Sequence, residues 1–157
     1  MPPVVPALTG LGAPYWDPTA TGLITGLTRN TEAAHIVRAA LESIAYSTRD
    51  LLNAMQADAK QTVTVMRVDG GMVNNTWLCQ FLADILATTV ERPPLLESTA
   101  LGVGYLAGLQ VGLVDSLQTI ANGWQKAAQF TPVMAVTERE ERYRGWEKAV
   151  QRALLEV

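Results

Sequence analysis

Two adjacent glycines stand where an apolar run meets a helical pattern, in the segment VMRVDGGMVNNTWL at positions 65–78. Gly70 and Gly71 have no Cβ, so a ligand could lie directly on the backbone there. The helix that follows would point free N–H groups and the positive end of its dipole at the same place, which suits a phosphate or a nucleoside. Asn75 could hydrogen-bond a base edge, because its amide both donates and accepts. The alternative is a tight turn in which Asn75 only caps the helix, and the spacing by itself supports both.

The other residues whose side chains could do chemistry have no suitable partners nearby in the sequence. His35 is the single histidine, and no second histidine or cysteine is placed to share a metal or complete a catalytic triad, so we expect a structural role. Cys79 falls near the apolar side of its helix, where a thiol is inert. Asp17 and Asp69 adjoin glycine-rich loops and could contact a hydrated magnesium ion. For Asp17, which precedes a proline, a turn is the simpler interpretation.

Composition excludes several classes of protein. Of the 157 residues, 48% are hydrophobic and 17% charged, which is typical of one globular domain with a buried core. The net charge is -3 and no basic cluster occurs, which argues against a nucleic-acid partner. One cysteine excludes an internal disulfide framework and favours a reducing, cytoplasmic location. No uninterrupted apolar run reaches the ~18 residues that span a membrane.

Strand and helix patterns alternate along the chain. Runs rich in β-branched or apolar residues predict strands at 4–5, 22–27, 62–68 and 87–92. Helical periodicity predicts a long helix capped at Asn30-Thr31 and ending near Met55, and further helices after Asn74 or Asn75, over 99–111, after Ser116, and over 137–156. This alternation predicts an α/β domain with at least some parallel strands.

Two helices carry patterns that predict packing. In the long helix, apolar residues recur at spacings of three and four and predict the buried face, whereas Arg38, Glu42, Arg49 and Asp50 fall on other faces. That predicted buried face comprises Val37, Leu41, Ile44, Thr48, Leu51, Leu52 and Met55.

Three glycines lie in the helix predicted over 99–111, at Gly102, Gly104 and Gly108. Glycine costs ~1 kcal/mol in a helix interior relative to alanine. The three glycines therefore predict a closely packed backbone, against the sheet or against the double-glycine loop.

Several longer motifs resemble a known family. GLITGL, followed seven residues later by His35-Ile36-x-x-Ala39-Ala40-Leu41-Glu42, is similar to the C-terminal signature of the FGGY carbohydrate kinases. TGLGAPYWDP, GLTRN, LESIAYSTRDLLNAMQAD, RVDGGMVNN, FLADIL, ERP and TALGVGYLAG resemble the branch of that family that phosphorylates glycerol. These motifs keep their order from about Leu8 to Trp146.

The resemblance implies a fold and a site. FGGY kinases have two actin-like (ribonuclease H-like) α/β domains with a cleft between them. Residues 1–157 would be the C-terminal, nucleotide-binding domain, incomplete at its N-terminal side, with 137–156 as its last helix. Gly70 and Gly71 would face the ribose and phosphates of ATP or ADP, Met72 would flank the adenine, and Asn75 would hydrogen-bond it. Relatives often have alanine at the position of Met72.

The resemblance also implies a reaction. The intact enzyme would transfer the γ-phosphoryl group of Mg-ATP to a terminal hydroxyl of glycerol. The glycerol site, the magnesium-linked aspartate and the catalytic base match no position here, so we expect no catalytic residue, no metal ligand and no activity in this chain alone. Alternatives are a kinase of xylulose or gluconate, or a non-catalytic actin-like module for oligomerisation or regulation. A homo-oligomer is expected.

Overall fold

The computed structural model describes residues 2–95 and 97–154. The strands are β1 (Val4–Val5), β2 (Leu23–Ile24), β3 (Val65–Arg67), β4 (Thr89–Arg92) and β5 (Ala128–Phe130). The helices are α1 (Ala33–Ala59), α2 (Thr76–Leu86), α3 (Ser98–Gln110), α4 (Leu117–Asn122) and α5 (Val136–Ala153), with a 3₁₀ turn at Gly71–Asn74. Within the described residues, no helix has both the length and the apolar character to cross a membrane.

The strands form two sheets. β1 pairs antiparallel with β2, with Val4 opposite Ile24. In the second sheet β4 lies between β3, which runs parallel to it, and β5, which runs antiparallel. The β3–α2–β4 segment is therefore a parallel crossover unit, and the predicted α/β class with parallel strands is confirmed.

One hydrophobic core joins the two sheets to α1, α2 and α5. The inner face of α2 contributes Leu78, Phe81, Leu82 and Ile85, all buried. Tyr46 of α1 packs edge-on against Phe81, with ring centroids 5.7 Å apart. Tyr46 also stacks on Trp146 of α5, with centroids 5.8 Å apart. Tyr143, Trp146 and Val150 of α5 point inward as predicted. The remaining core members are Phe130 of β5, together with aliphatic residues and Cys79 from the same three helices, the strands and the connecting loops.

The buried face of α1 differs from the prediction. Val37, Leu51 and Met55 are 62%, 43% and 56% exposed, whereas Glu42 and Asp50 are each only 4% exposed. The core face consists of Ala39, Glu42, Ser43, Ala45, Tyr46, Asp50 and Leu52. The prediction is correct for Leu52, which is 4% exposed, but it assumed that charged side chains face water. It failed for the two acids because Asp50 finds partners in another loop and in α5, and Glu42 finds its partners within α1.

Charged side chains of α1 form hydrogen bonds both within the helix and with α5. The carboxylate of Glu42 accepts from Arg38 at 2.9 Å and from the Tyr46 hydroxyl at 3.4 Å. Arg49 donates to both carboxylate oxygens of Glu140 on α5, at 2.8 and 3.0 Å, and this pairing lowers the pKa of Glu140. Charged groups of α1 thus help to dock the C-terminal helix.

Helix and strand limits show smaller differences. α1 begins at Ala33 with Glu32 as its N-cap, not Asn30 or Thr31, because the Thr31 hydroxyl accepts from the Thr28 N–H in the preceding turn. His35 accepts from the Glu32 N–H through Nδ1 at 3.0 Å, which is a structural role. α5 spans Val136–Ala153, and residues 155–156 of the predicted 137–156 helix lie outside the described part of the chain.

The strands are shorter than predicted, and one was missed. Of the predicted runs 22–27, 62–68 and 87–92, only Leu23–Ile24, Val65–Arg67 and Thr89–Arg92 pair. β5 escaped the sequence analysis because Ala128–Phe130 is only three residues long, which is too short for its alternation of apolar and polar residues to stand out. It adds an antiparallel edge to the parallel pair.

The glycines of α3 are not packed as predicted. A Cβ at Gly102 or Gly104 would meet nothing within 4 Å. A Cβ at Gly108 would approach the Val114 Cγ2 atom at 2.9 Å, just after the helix. The expectation of close packing therefore holds at one of the three positions, and there the contact is local.

This openness predicts that Gly104→Ala stabilises the chain. Alanine removes the conformational freedom of glycine in the unfolded state and meets no obstacle in the folded one, so we expect a gain of about 0.5–1 kcal/mol. Urea denaturation followed by circular dichroism would measure it. Gly108→Ala is the matched control and should gain less, because its new methyl group meets Val114.

Candidate functional site

The loop between β3 and α2 has the geometry of a backbone binding surface. The Val68 N–H donates to the Glu91 carbonyl at 3.0 Å, which extends the pairing of β3 with β4 up to the loop. Gly70 has φ of +90°, a conformation that L side chains rarely adopt, so glycine is required there. Gly71 has an ordinary φ, and a Cβ at either glycine would meet nothing within 4 Å. The space above both glycines is open.

The loop is anchored from beneath through one buried residue. The Val73 carbonyl accepts from the guanidinium of Arg92, at the end of β4, at 2.7 Å, and from the Cys79 thiol at 3.2 Å. Within the 3₁₀ turn, the Val73 N–H donates to the Gly70 carbonyl at 3.2 Å. Arg92 is a positioning residue that the sequence analysis missed. The available signal was its place as the last residue of a predicted strand, directly before two prolines.

Met72 and Asn75 flank the two glycines. Met72 is 52% exposed and lies on the same turn. The Oδ1 atom of Asn75 accepts from the Leu78 N–H at 3.2 Å, so Asn75 does cap α2. Capping uses the amide oxygen and leaves the amide nitrogen as a donor on the exposed side of the loop. The four predicted site residues thus share one loop at the carboxyl end of β3, where open α/β sheets bind ligands.

Cys79 is part of this anchor and not a nucleophile. It is fully buried. Burial raises the pKa of its thiol, and the nearby Arg92 offsets that only in part. The prediction of an inert thiol agrees with this environment.

We therefore expect Cys79 to react slowly with a disulfide reagent such as DTNB between pH 7 and 8. A raised pKa leaves less thiolate at any pH in that range, and burial blocks access. The rate should rise at least about 100-fold in urea, where both restraints are lost. Following thionitrobenzoate release in the two solvents would check this, and equal rates would show that the thiol is accessible.

The remaining candidates do not join this loop. Asp17 accepts from the Thr19 N–H at 2.8 Å, the Thr19 hydroxyl at 2.7 Å and the Ala20 N–H at 3.1 Å, and these bonds lower its pKa. It is a turn acid. Asp69 is exposed beside the glycines. Among the described residues, no three His, Cys, Asp or Glu side chains come close enough together to hold a metal ion.

A buried carboxylate elsewhere was also missed. Asp50 accepts hydrogen bonds from the Tyr15 hydroxyl at 3.0 Å, from the Trp146 indole N–H at 2.7 Å and from the Tyr143 hydroxyl. The bond from Tyr15 ties the TGLGAPYWDP loop to α1. Burial raises the pKa of both tyrosines, and the charge of Asp50 raises it further. The only signal in the sequence was a buried-type aromatic content in the TGLGAPYWDP loop and in α5, whose residues could partner an acid such as Asp50.

Comparison with known proteins decides the family. Residues 2–111 match the C-terminal domain of the FGGY family of carbohydrate kinases. The chain belongs to that family. The glycine loop lies inside the matched region, as do α1, α2 and α3.

Individual proteins of known identity show which members of the FGGY family this chain is similar to in sequence and structure. The chain is 58% identical to a glycerol kinase of Ectopseudomonas mendocina over 149 residues, covering 95% of this chain and 30% of that protein. It is 56% identical to a glycerol kinase of Alkaliphilus metalliredigens, again covering 30% of the relative. Its structure is similar to that of Plasmodium falciparum glycerol kinase with ADP, with a TM-score of 0.85 and 38% identity over 99% of this chain and 31% of that one. The chain thus spans about 30% of the length of these relatives, and the predicted α/β kinase fold is confirmed.

Proposed function

We propose that this chain is the nucleotide-binding C-terminal part of a glycerol kinase, and that Gly70, Gly71, Met72 and Asn75 contact ATP or ADP. The observation that carries the proposal is the open glycine loop at the carboxyl end of β3, placed before the N-terminus of α2. Backbone without Cβ atoms admits the ribose and phosphates, and the end of the helix favours their negative charge. The flexible side chain of Met72 can lie against a purine, and the Asn75 amide nitrogen can donate to it.

In the longer enzyme the reaction would be transfer of the γ-phosphoryl group of Mg-ATP to glycerol. Such transfers depend on positioning and on neutralising charge, together with a base for the attacking hydroxyl. We assign the base, the glycerol site and most magnesium ligands to the part of the relatives that this chain does not match. The role of this chain is to form one wall of the cleft and to position the nucleotide for transfer of its γ-phosphoryl group. The identity of 58% to a glycerol kinase favours glycerol over xylulose, since the xylulose kinase of Lactobacillus acidophilus shares 24%.

The test is calorimetry of ADP, with Mg²⁺, on the purified chain, beside a coupled assay with ATP and glycerol. We expect measurable but weak ADP binding, because only part of the nucleotide site is present, and no glycerol-dependent turnover. A folded chain that does not bind ADP would contradict the nucleotide site. Glycerol-dependent turnover would contradict the assignment of the catalytic base outside this chain.

Two further properties are proposed for the longer enzyme. A cytoplasmic location is supported by the free, buried cysteine of this chain. A homo-oligomer is supported by large apolar side chains at the surface outside the helices, Leu8 at 87% and Trp16 at 75% exposure. Fractionation of the native cells and sedimentation of the intact enzyme would test these.

A further inference from the structure

Val73 is the one buried residue of the glycine loop. It is 6% exposed, whereas residues 71–72 and 74–75 on either side of it are exposed. Its side chain packs in the hydrophobic core, its N–H donates to the Gly70 carbonyl at 3.2 Å, and its carbonyl accepts two further hydrogen bonds. The 3₁₀ turn that carries the loop is thus fixed through this residue, so whatever holds Val73 also holds the loop.

Arg92 provides the shorter of the two bonds to the Val73 carbonyl. Its Nη1 atom donates at 2.7 Å, whereas the Cys79 thiol, a weak donor, lies at 3.2 Å. Hydrogen bonds from a charged donor are stronger than those from a neutral one. The main chain of Arg92 is fixed in turn, because the residue ends β4 and its carbonyl accepts from the Ala127 N–H at 2.9 Å. Arg92 therefore links the loop to a backbone position that is held within the sheet.

The charge of Arg92 is not neutralised by an ion pair in the part of the chain that the structure describes. Arg67, at the end of β3, lies 3.8 Å from a carboxylate oxygen of Glu91, but no described Asp or Glu pairs with Arg92. Its guanidinium carbon lies instead 5.6 Å from the centroid of the Phe130 ring. The charge acts on the base of the loop, since it offsets part of the rise that burial causes in the pKa of the Cys79 thiol. A cation held under the glycine loop favours a negatively charged ligand above it.

We propose that Arg92 sets the affinity of the glycine loop for nucleotide without contacting the nucleotide itself. Its hydrogen bond to Val73 forms the 3₁₀ turn before the ligand arrives, so less order has to be imposed on binding. Its charge adds to the positive end of α2 in favouring the phosphates. The inference rests on the proposed function, which places ADP or ATP at Gly70 and Gly71, and it adds a positioning residue on the neighbouring strand that determines how strongly that site binds.

The test is calorimetry of ADP, with Mg²⁺, on this chain and on three variants at position 92. Arg92→Met keeps an unbranched stem over Phe130 but removes the donor and the charge, so we expect ADP to bind at least about 10-fold more weakly. Arg92→Lys restores a charged donor and should bind ADP within about 3-fold of the parent. Arg92→Gln keeps a donor without the charge and should fall between these two.

The matched control is Arg67→Met. Arg67 ends β3 as Arg92 ends β4, and its guanidinium also lies over an aromatic ring, 3.8 Å from the centroid of Trp124. Among the described contacts its side chain makes no hydrogen bond to the glycine loop. This variant should therefore bind ADP like the parent, and the melting temperature of each variant shows whether it is folded.

Hydrogen exchange provides a readout that needs no ligand. The Val73 N–H, which donates to the Gly70 carbonyl, should exchange at least about 10-fold faster in Arg92→Met than in the parent, because the turn opens more often. The same amide should be unaffected in Arg67→Met, and amides in the middle of α5 should exchange alike in all the variants. An unchanged Val73 amide in Arg92→Met would show that the guanidinium does not hold the loop.

The affinities separate this inference from the proposed function. If the parent does not bind ADP, the proposed function fails and this inference fails with it. If the parent binds ADP and Arg92→Met binds it equally well, the nucleotide site stands and only the role of Arg92 is refuted. Equal losses of affinity in Arg92→Met and Arg67→Met would also overturn the inference, because the effect would then belong to the sheet as a whole.

Discussion

Asp50→Ala should be among the most destabilising single substitutions in this chain, costing roughly 3–5 kcal/mol in the free energy of unfolding. The carboxylate is 4% exposed and accepts from Tyr15, Tyr143 and Trp146. Its removal leaves buried donors without an acceptor and takes away one of the contacts that hold the TGLGAPYWDP loop and α5 on α1. Thermal and urea unfolding followed by circular dichroism would measure the loss. A decrease of roughly 10 °C in melting temperature is expected for a chain of this size.

Two companion variants make the result interpretable. Asp58→Ala removes an exposed carboxylate from the last turns of the same helix and should leave stability within about 0.5 kcal/mol of the parent. Asp50→Asn keeps the shape of the side chain but places an NH₂ group among donors, so its cost should approach that of alanine. If Asp50→Asn were as stable as the parent, the negative charge and its acceptor capacity would not hold the cluster together.

Gly71→Val should abolish nucleotide binding without affecting the fold. Gly71 has an ordinary φ, and its Cβ would meet nothing within 4 Å, so valine is accommodated in the empty loop. The branched side chain would then occupy the space proposed for the ribose and phosphates. We expect at least a 10-fold weaker affinity for ADP by calorimetry, with a melting temperature within about 2 °C of the parent.

The matched control is Gly12→Val. Gly12 also has an ordinary φ and open space around its Cβ, in a loop remote in sequence from the proposed site. This variant should bind ADP like the parent. If Gly71→Val also bound ADP like the parent, the nucleotide would not lie on this loop. Gly70→Ala is unsuitable for the comparison, because its φ of +90° would add strain of its own.

The loop itself was predictable because its determinants are local. Strand propensity in Thr62–Val68, two glycines and a capping asparagine lie within 14 residues, and the structure shows each in its expected element. The α/β class followed from the same alternation of short-range patterns. Spacing alone could not distinguish a nucleotide site from a turn in which Asn75 only caps the helix. The family resemblance supplied the expectation of a nucleotide.

The environment of α1 could not be predicted in the same way. Periodicity correctly predicted an amphipathic helix, but its apolar side was assigned to the core that the described residues form. The structure instead buries Glu42 and Asp50, because their partners come from α1 itself, from α5 and from a loop 35 residues upstream. The partners of Asp50 lie 35 or more residues away in the sequence and therefore leave no periodic signal.

The sequence by itself determined which segments are helices and, except for β5, which are strands. It also determined where the double glycine falls and which family the motifs resemble, since all of these depend on neighbouring residues. Tertiary structure alone decided that the buried Asp50 joins three elements and that Arg92 and Cys79 hold the glycine loop through Val73. It also decided that Val37, Leu51 and Met55 of α1 are exposed. The physical reason is that burial depends on which distant surfaces meet. The polarity of a side chain sets the free-energy penalty of burying it, and its hydrogen-bond partners determine whether that penalty is offset.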